Sequence, residues 1–162
     1  MLEIREITTS DQIEVTTAIV LSAFAEVAQT MALTIENAPS HPAFTTLERM
    51  SAMQQKMPFF GLYLDEAEIG CVAIERSGDT VYYLERLAVL PAYRHAGYGR
   101  MLVDFVLDYV KERGGKKVSL GMINNHVILK DWYRSLGFVE TGTKQFANLP
   151  FIVCFMDKAV SA

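Results

Sequence analysis

Between Phe59 and Val89 the apolar residues abandon helical spacing and alternate, in the runs Phe59–Leu64, Ile69–Arg76 and Val81–Val89. Only two short polar breaks interrupt them, Asp65-Glu66-Ala67-Glu68 and Ser77-Gly78-Asp79. That is the pattern of successive antiparallel strands joined by hairpins. A chain with such a meander must bury at least one sheet face, so the flanking segments have to supply cover. Inside the third run the phase slips: Leu84 stands in one phase, Leu87 and Val89 in the other. A β-bulge produces such a slip, and so does a strand buried on both faces; pattern alone leaves the two open.

The cover is legible on both sides of the meander. Residues 2–8 alternate as a first strand, and Thr9 with Gln12 forms a capping-box start. Ile13, Val20, Phe24, Val27 and Met31 then keep one helical face apolar until Glu36-Asn37-Ala38-Pro39-Ser40-His41-Pro42 breaks the helix. A second helix is expected from about Phe44, burying Leu47, Met50 and Met57 and ending at Pro58. Beyond the meander, Met101, Leu102, Phe105, Val106, Tyr109 and Val110 mark an amphipathic helix stopped by Gly114-Gly115. Lys117–Ile123 alternates as a strand, and Asn124-Asn125 can cap a last helix carrying Leu129, Trp132 and Leu136, ended by Gly137. Phe138–Thr143 and Phe151–Met156 read as the closing strands. The expected fold is one α+β domain over residues 1–158, with a mixed, mostly antiparallel sheet of about seven strands, about four helices and a short frayed tail at 159–162.

Composition narrows the function classes. The chain has 162 residues, the size of one domain. Fifteen Lys+Arg against nineteen Asp+Glu give a formal charge of −4, which disfavours binding to nucleic acid phosphates. The N-terminus lacks the pattern of a secretory signal, and the apolar stretch Ala18–Ala25 is far short of the ~20 residues of a membrane span, so a soluble cytoplasmic protein is expected. Cys71 and Cys154 each lie in an apolar run, as two buried thiols or, less economically, a disulfide. No P-loop, no G-x-S-x-G elbow and no metal-ligand spacing among His41, His95 and His126 is present. Gly97-Tyr98-Gly99 is half a dinucleotide fingerprint, because Leu102 stands where the third glycine belongs.

What remains is strand, phase slip, then Tyr93-Arg94-His95-Ala96-Gly97-Tyr98-Gly99-Arg100, then helix. Glycines at 97 and 99 let successive backbone N–H groups converge at a helix N-terminus, where a pyrophosphate can be held by main chain; taken alone, the segment reads as readily as an ordinary glycine-containing loop. The stretch Leu84–Gly99, with its R-x-x-G-x-G core, resembles the acetyl-CoA-binding segment of the GNAT family of N-acetyltransferases. Downstream, Trp132-Tyr133-Arg134-Ser135-Leu136-Gly137-Phe138 resembles that family's aromatic-tyrosine helix end followed by Gly-Phe. The two blocks stand in the family's order, and the motif resemblance covers about residues 80–140.

The resemblance implies roles. Backbone around Leu87, Ala88 and Val89 would pair with the pantetheine arm of acetyl-CoA, and the loop Arg94, His95, Ala96, Gly97, Tyr98, Gly99 would hold its pyrophosphate, with the Arg94 side chain touching ligand or bracing the loop. Tyr133 would stand beside the sulfur as general acid. Asn125 matches the family's asparagine before the last helix, eight residues ahead of Tyr133 where seven is more familiar. The fold class also implies that Thr34–Ala43, with Glu36 and His41, walls the acceptor pocket; Glu36 and the net charge favour a cationic amine.

Acetyl transfer to nitrogen needs a neutral amine. At an ordinary pKa near ~10.4 only about one in a few thousand is neutral at pH 7, a handicap of roughly 4–5 kcal/mol. A base is therefore a larger lever than an acid for the thiolate. Glu85, two residues before Leu87 on the bulge-bearing strand, is the first candidate; an ion pair with Arg86 or Arg76 would account equally for its charge. Tyr83 and Glu75 are lesser candidates. An unpaired N–H at the bulge could polarise the acetyl carbonyl. The expected function is direct acetyl transfer to a primary amine, a small molecule before a protein, with no metal. A domain of the same shape that senses acyl-CoA without turnover is the alternative. Phe151–Met156 is either a buried strand of the monomer or a face for a homodimer.

Overall fold

The computed structural model describes residues 1–160. Its seven-stranded sheet runs in the order β1 (Leu2–Ile7), β2 (Phe59–Leu64), β3 (Ala67–Arg76), β4 (Val81–Val89), β5 (Lys117–Ile123), β7 (Ile152–Ala159), β6 (Val139–Gln145). Every neighbour pair is antiparallel except β4 and β5, which are parallel. A parallel pair needs a crossover, and α3 (Tyr98–Glu112) provides it. α1 (Ser10–Thr30) and α2 (Leu47–Lys56) cover one face; α3 and α4 (Val127–Ser135) cover the other.

Strand alternation sorts the core into these two layers. Phe60, Leu62, Val72, Ile74, Tyr82 and Leu84 meet Leu102, Val106 and Val110 of α3. Phe59, Tyr63, Cys71 and Ala73 meet Ile13, Val20 and Met50. α1 is long and apolar enough to cross a membrane by length and composition, yet Ile13, Ile19, Val20 and Ala23 are spent on this core. Both cysteines are buried and free.

Several boundaries differ from the sequence reading, each for a local reason. α1 closes at Thr30, where Met31 caps it and Ala32 takes φ 54°, so a left-handed residue ends the helix before the prolines do. Pro42–Phe44 forms a 3-10 turn and α2 starts only at Leu47, with Thr46 as N-cap, which leaves Leu47 exposed rather than buried. Met101 is likewise exposed, its place in the core taken by Val103. His126, not an asparagine, caps α4: its Nδ1 accepts the Leu129 N–H at 3.3 Å. β7 reaches Ala159 and the Val160 N–H donates to the Lys116 carbonyl, so order continues past the expected start of the tail; residues 161–162 lie outside the described residues.

Candidate active site

The phase slip between Leu84 and Leu87 is a β-bulge. β3 advances from Cys71 to Ala73 while β4 advances from Ala88 to Glu85, one residue more. Arg86 absorbs the difference at φ 52°, and the Cys71 thiol donates to the Arg86 carbonyl at 3.6 Å. Burial pushes that thiol well up, so it stays an S–H donor and holds the bulge rather than acting as a nucleophile. Leu84 and Leu87 both pack on the α3 side, so the residues between them, Glu85 and Arg86, are carried to the α1 side together.

Beyond the bulge the sheet opens. β4 pairs with β5 only at Val81–Lys117, Tyr82–Val118 and Tyr83–Ser119, whereas β5 stays with β7 as far as Ile123–Val153. The Leu90 N–H donates to Ile69 of β3, so by alternation the main-chain groups of Val89 point into the opening. A splayed edge of this kind leaves Leu87–Val89 free to receive an extended chain.

At the end of the opening lies the glycine loop. Gly97 is the N-cap of α3 at φ 85° and His95 sits at φ 64°. Among the described residues, nothing accepts a hydrogen bond from the N–H groups of His95 through Arg100. Uncommitted donors at a helix N-terminus are an arrangement that can receive an anion. A Cβ at Gly97 would meet nothing within 4 Å but would be strained by the positive φ. A Cβ at Gly99 would lie 3.2 Å from the Trp132 ring, so the two sequence blocks, far apart along the chain, touch here. Arg94 turns away from these donors: it donates to Glu26 at 3.0 Å and to the Ala23 carbonyl at 2.8 Å, bracing the loop on α1.

Tyr133 is buried on α4 between the rings of Trp132 (5.0 Å) and Phe138 (5.5 Å). Burial pushes its phenol well up, and its hydroxyl has no hydrogen-bond partner among the described residues. Asn125 is exposed with its side chain unbonded, while its neighbour Asn124 accepts from Lys130 at 2.6 Å.

On the α1 side, Glu85 and Arg86 form a loose pair, Nη1 to Oε2 3.4 Å. Burial raises the Glu85 carboxyl, against the pull of Arg86. His41 is the residue whose placement the sequence least anticipated. It is turned inward, its Nδ1 accepting the Ala43 N–H at 3.1 Å, among Phe24, Phe44 and Phe151. Burial, and then the Arg86 charge, hold it down to about 4. Glu36 is exposed in the turn before it and takes part in no ion pair among the described residues. Glu75 lies one cross-strand step away on β3, opposite Tyr83.

The family model for the Acetyltransferase (GNAT) family matches residues 24–138. Among solved structures, the ribosomal-protein-S18-alanine N-acetyltransferase of Escherichia coli superposes with a TM-score of 0.79 at 18% identity, covering 100% of this chain and 96% of that one. A GNAT family acetyltransferase of Elizabethkingia anophelis with acetyl-CoA bound gives 0.72 at 15%, covering 98% and 97%. The PaiA N-acetyltransferase of Thermoplasma acidophilum in complex with coenzyme A gives 0.72 at 18%, covering 98% and 99%.

Proposed function

This chain belongs to the GNAT family of acetyltransferases, and from that premise we propose that it moves an acetyl group from acetyl-CoA directly to a primary amine of a small molecule. The observation that carries the reading is the coincidence of an unpaired β4 edge with an uncommitted row of loop N–H donors, one suited to an extended amide-bearing arm and the other to a pyrophosphate. Leu87, Ala88 and Val89 would hold the arm; His95, Ala96, Gly97, Tyr98 and Gly99 would hold the phosphates through main chain. Arg94 serves by fixing the loop on α1. Asn125, exposed just ahead of α4, would touch the bound arm.

When bound, acetyl-CoA supplies an acyl thioester whose carbon accepts the amine. Glu85, with its carboxyl raised by burial, is a better base than an exposed glutamate and takes the amine proton, directly or through one water. Tyr133 donates toward the leaving sulfur. A main-chain N–H at the bulge steadies the developing negative charge on the carbonyl oxygen. The N–C bond forms as the C–S bond breaks; counted from the neutral amine, the proton it loses balances the one gained by the thiolate, and the extra proton of the ammonium form leaves to solvent.

Release of free thiol from acetyl-CoA against a panel of primary amines tests the reading. Release with at least one small amine is expected; tight binding of acetyl-CoA with no release against any amine would leave a sensor instead. A second result is expected from Gly97→Val, where a β-branched residue meets φ 85°. Calorimetry should show acetyl-CoA affinity down about tenfold or more, and Gly99→Leu should weaken it through displacement of Trp132. Parental affinity in both variants would remove the loop from the site.

A further inference from the structure

We propose that the acceptor is a free α-amino acid with an apolar or aromatic side chain, its carboxylate seated on Arg86. The inference rests on the acetyltransferase reading above and adds the chemistry of the acceptor. Its starting point is an unpaid hydrogen-bonding group. Arg86 Nε is buried without a partner among the described residues, and the one contact of the guanidinium is the loose 3.4 Å approach to Glu85. Its side chain is only 22% exposed, and burial works against its charge. A guanidinium whose Nε is buried without a partner and whose Nη1 makes only a long contact is a costly feature unless an anion completes it.

The position of that fork fixes what kind of anion. The bulge carries Glu85 and Arg86 to the same side of the sheet as consecutive side chains, beside the opening where the acetyl group is expected. A base for the amine and a fork for the anion are therefore a few ångströms apart. Only an acceptor whose amine and anion are equally close can use both, and an α-amino acid has that spacing. A polyamine offers no anion, and the lysine side chain of a protein carries its amine far from any carboxylate.

The aromatic side chains near Arg86 suit an apolar remainder. His41, Phe24, Phe44 and Phe151 gather with ring centroids 5.9 to 6.5 Å from His41, brought in from α1, the α1–α2 connection and the segment before β7. Because its Nδ1 accepts the Ala43 N–H, the neutral His41 carries its proton on Nε2 and adds a donor, not a negative charge. The acidic Glu36 faces solvent outside this group. The net charge of −4 is thus no guide to the acceptor, because Arg86 stands near His41 with its guanidinium held only by the loose contact to Glu85.

Matched pairs test this: L-phenylalanine with 2-phenylethylamine and L-leucine with 3-methylbutylamine, with spermidine as the polycation. Wild-type enzyme should favour each amino acid over its decarboxylated partner in kcat/KM by about 10- to 100-fold, the scale of a charged hydrogen-bonded pair. Arg86→Gln should abolish that preference by raising KM for the amino acid; the readout is the ratio of the paired substrates within each variant, in which any change in rate acting through Glu85 is common to both and cancels. Arg86→Lys, which keeps the charge and loses the fork, should fall between. Calorimetry of L-phenylalanine into the protein saturated with CoA gives a readout without turnover, and the same heat should vanish in Arg86→Gln. Binding that depends on Arg86 without turnover would keep this assignment and remove the enzymatic reading. Equal use of the paired amines, preference for spermidine, a preference untouched in Arg86→Gln, or no binding and no turnover of either amino acid would overturn it.

Discussion

Replacing Tyr133 by phenylalanine is expected to lower kcat about 10²-fold while acetyl-CoA affinity changes less than about threefold. The reasoning begins with burial. The phenol is pushed up, so it remains a hydrogen donor through about pH 6–9 and cannot serve as the base. Loss of a donor that is protonated throughout must appear as a constant drop in rate, with the pH profile unmoved. The variant should also keep its fold, because the ring contacts with Trp132 and Phe138 do not involve the hydroxyl, and that hydroxyl has no hydrogen-bond partner to lose among the described residues. A structural tyrosine would behave in the opposite way, with a lowered Tm and unchanged kcat. Unaltered turnover in Tyr133→Phe across that pH range would strike Tyr133 from the mechanism.

How much of this was legible in the chain depends on how local each signal is. The meander and the phase slip at Leu84 and Leu87 are nearest-neighbour patterns, and both the strands and the bulge followed them. The capping box at Thr9 was equally local, with Gln12 Oε1 accepting the Thr9 N–H at 3.0 Å. The glycine loop announced its own backbone. Side-chain destinations were not legible, because they depend on elements distant in sequence. Arg94 spends its guanidinium on α1, residues 68 and 71 positions away. Arg86 could be named beside Glu85, but that both would point to one face required knowing that the bulge falls between them and Leu87. Glu68 shows the limit most sharply. As the end of a polar break it reads as a solvated turn residue, yet it lies in β3, buried under Thr16 of α1, 52 positions earlier.

That buried carboxyl leads to an expected pH dependence of stability. Thr16 Oγ1 stands 3.0 and 2.8 Å from the two Glu68 oxygens and 3.1 Å from the Gln12 carbonyl. One hydroxyl proton cannot serve both, and a protonated Glu68 resolves the conflict by donating to Oγ1. Burial, partly offset by the Thr16 hydrogen bond, puts the Glu68 carboxyl up to about 7 from 4.5. The folded state then holds this proton more tightly than the unfolded chain, so the contribution is full below about pH 4.5 and is lost as pH rises to about 7. At about 1.36 kcal/mol for each unit the loss is about 3 kcal/mol. His41 works the other way. Held down to about 4 from 6.5, it is protonated more readily in the unfolded chain, so its contribution is present above about pH 6.5 and is lost as pH falls to about 4. Glu85, raised, adds to the trend of Glu68, and His126, lowered, adds to that of His41. The two trends oppose each other across about pH 4.5–6.5, and wild-type stability should be nearly flat there. Glu68→Gln, which can donate to Thr16 at every pH, should unmask a stability that climbs by about 3 kcal/mol from pH 4 to 6.5. His41→Asn, which retains an acceptor for the Ala43 N–H, should unmask a comparable decline from pH 4.5 to 7. Urea midpoints at half-unit steps separate these cases, and a Glu68→Gln curve parallel to wild type would show that the carboxyl beneath α1 does not titrate as described.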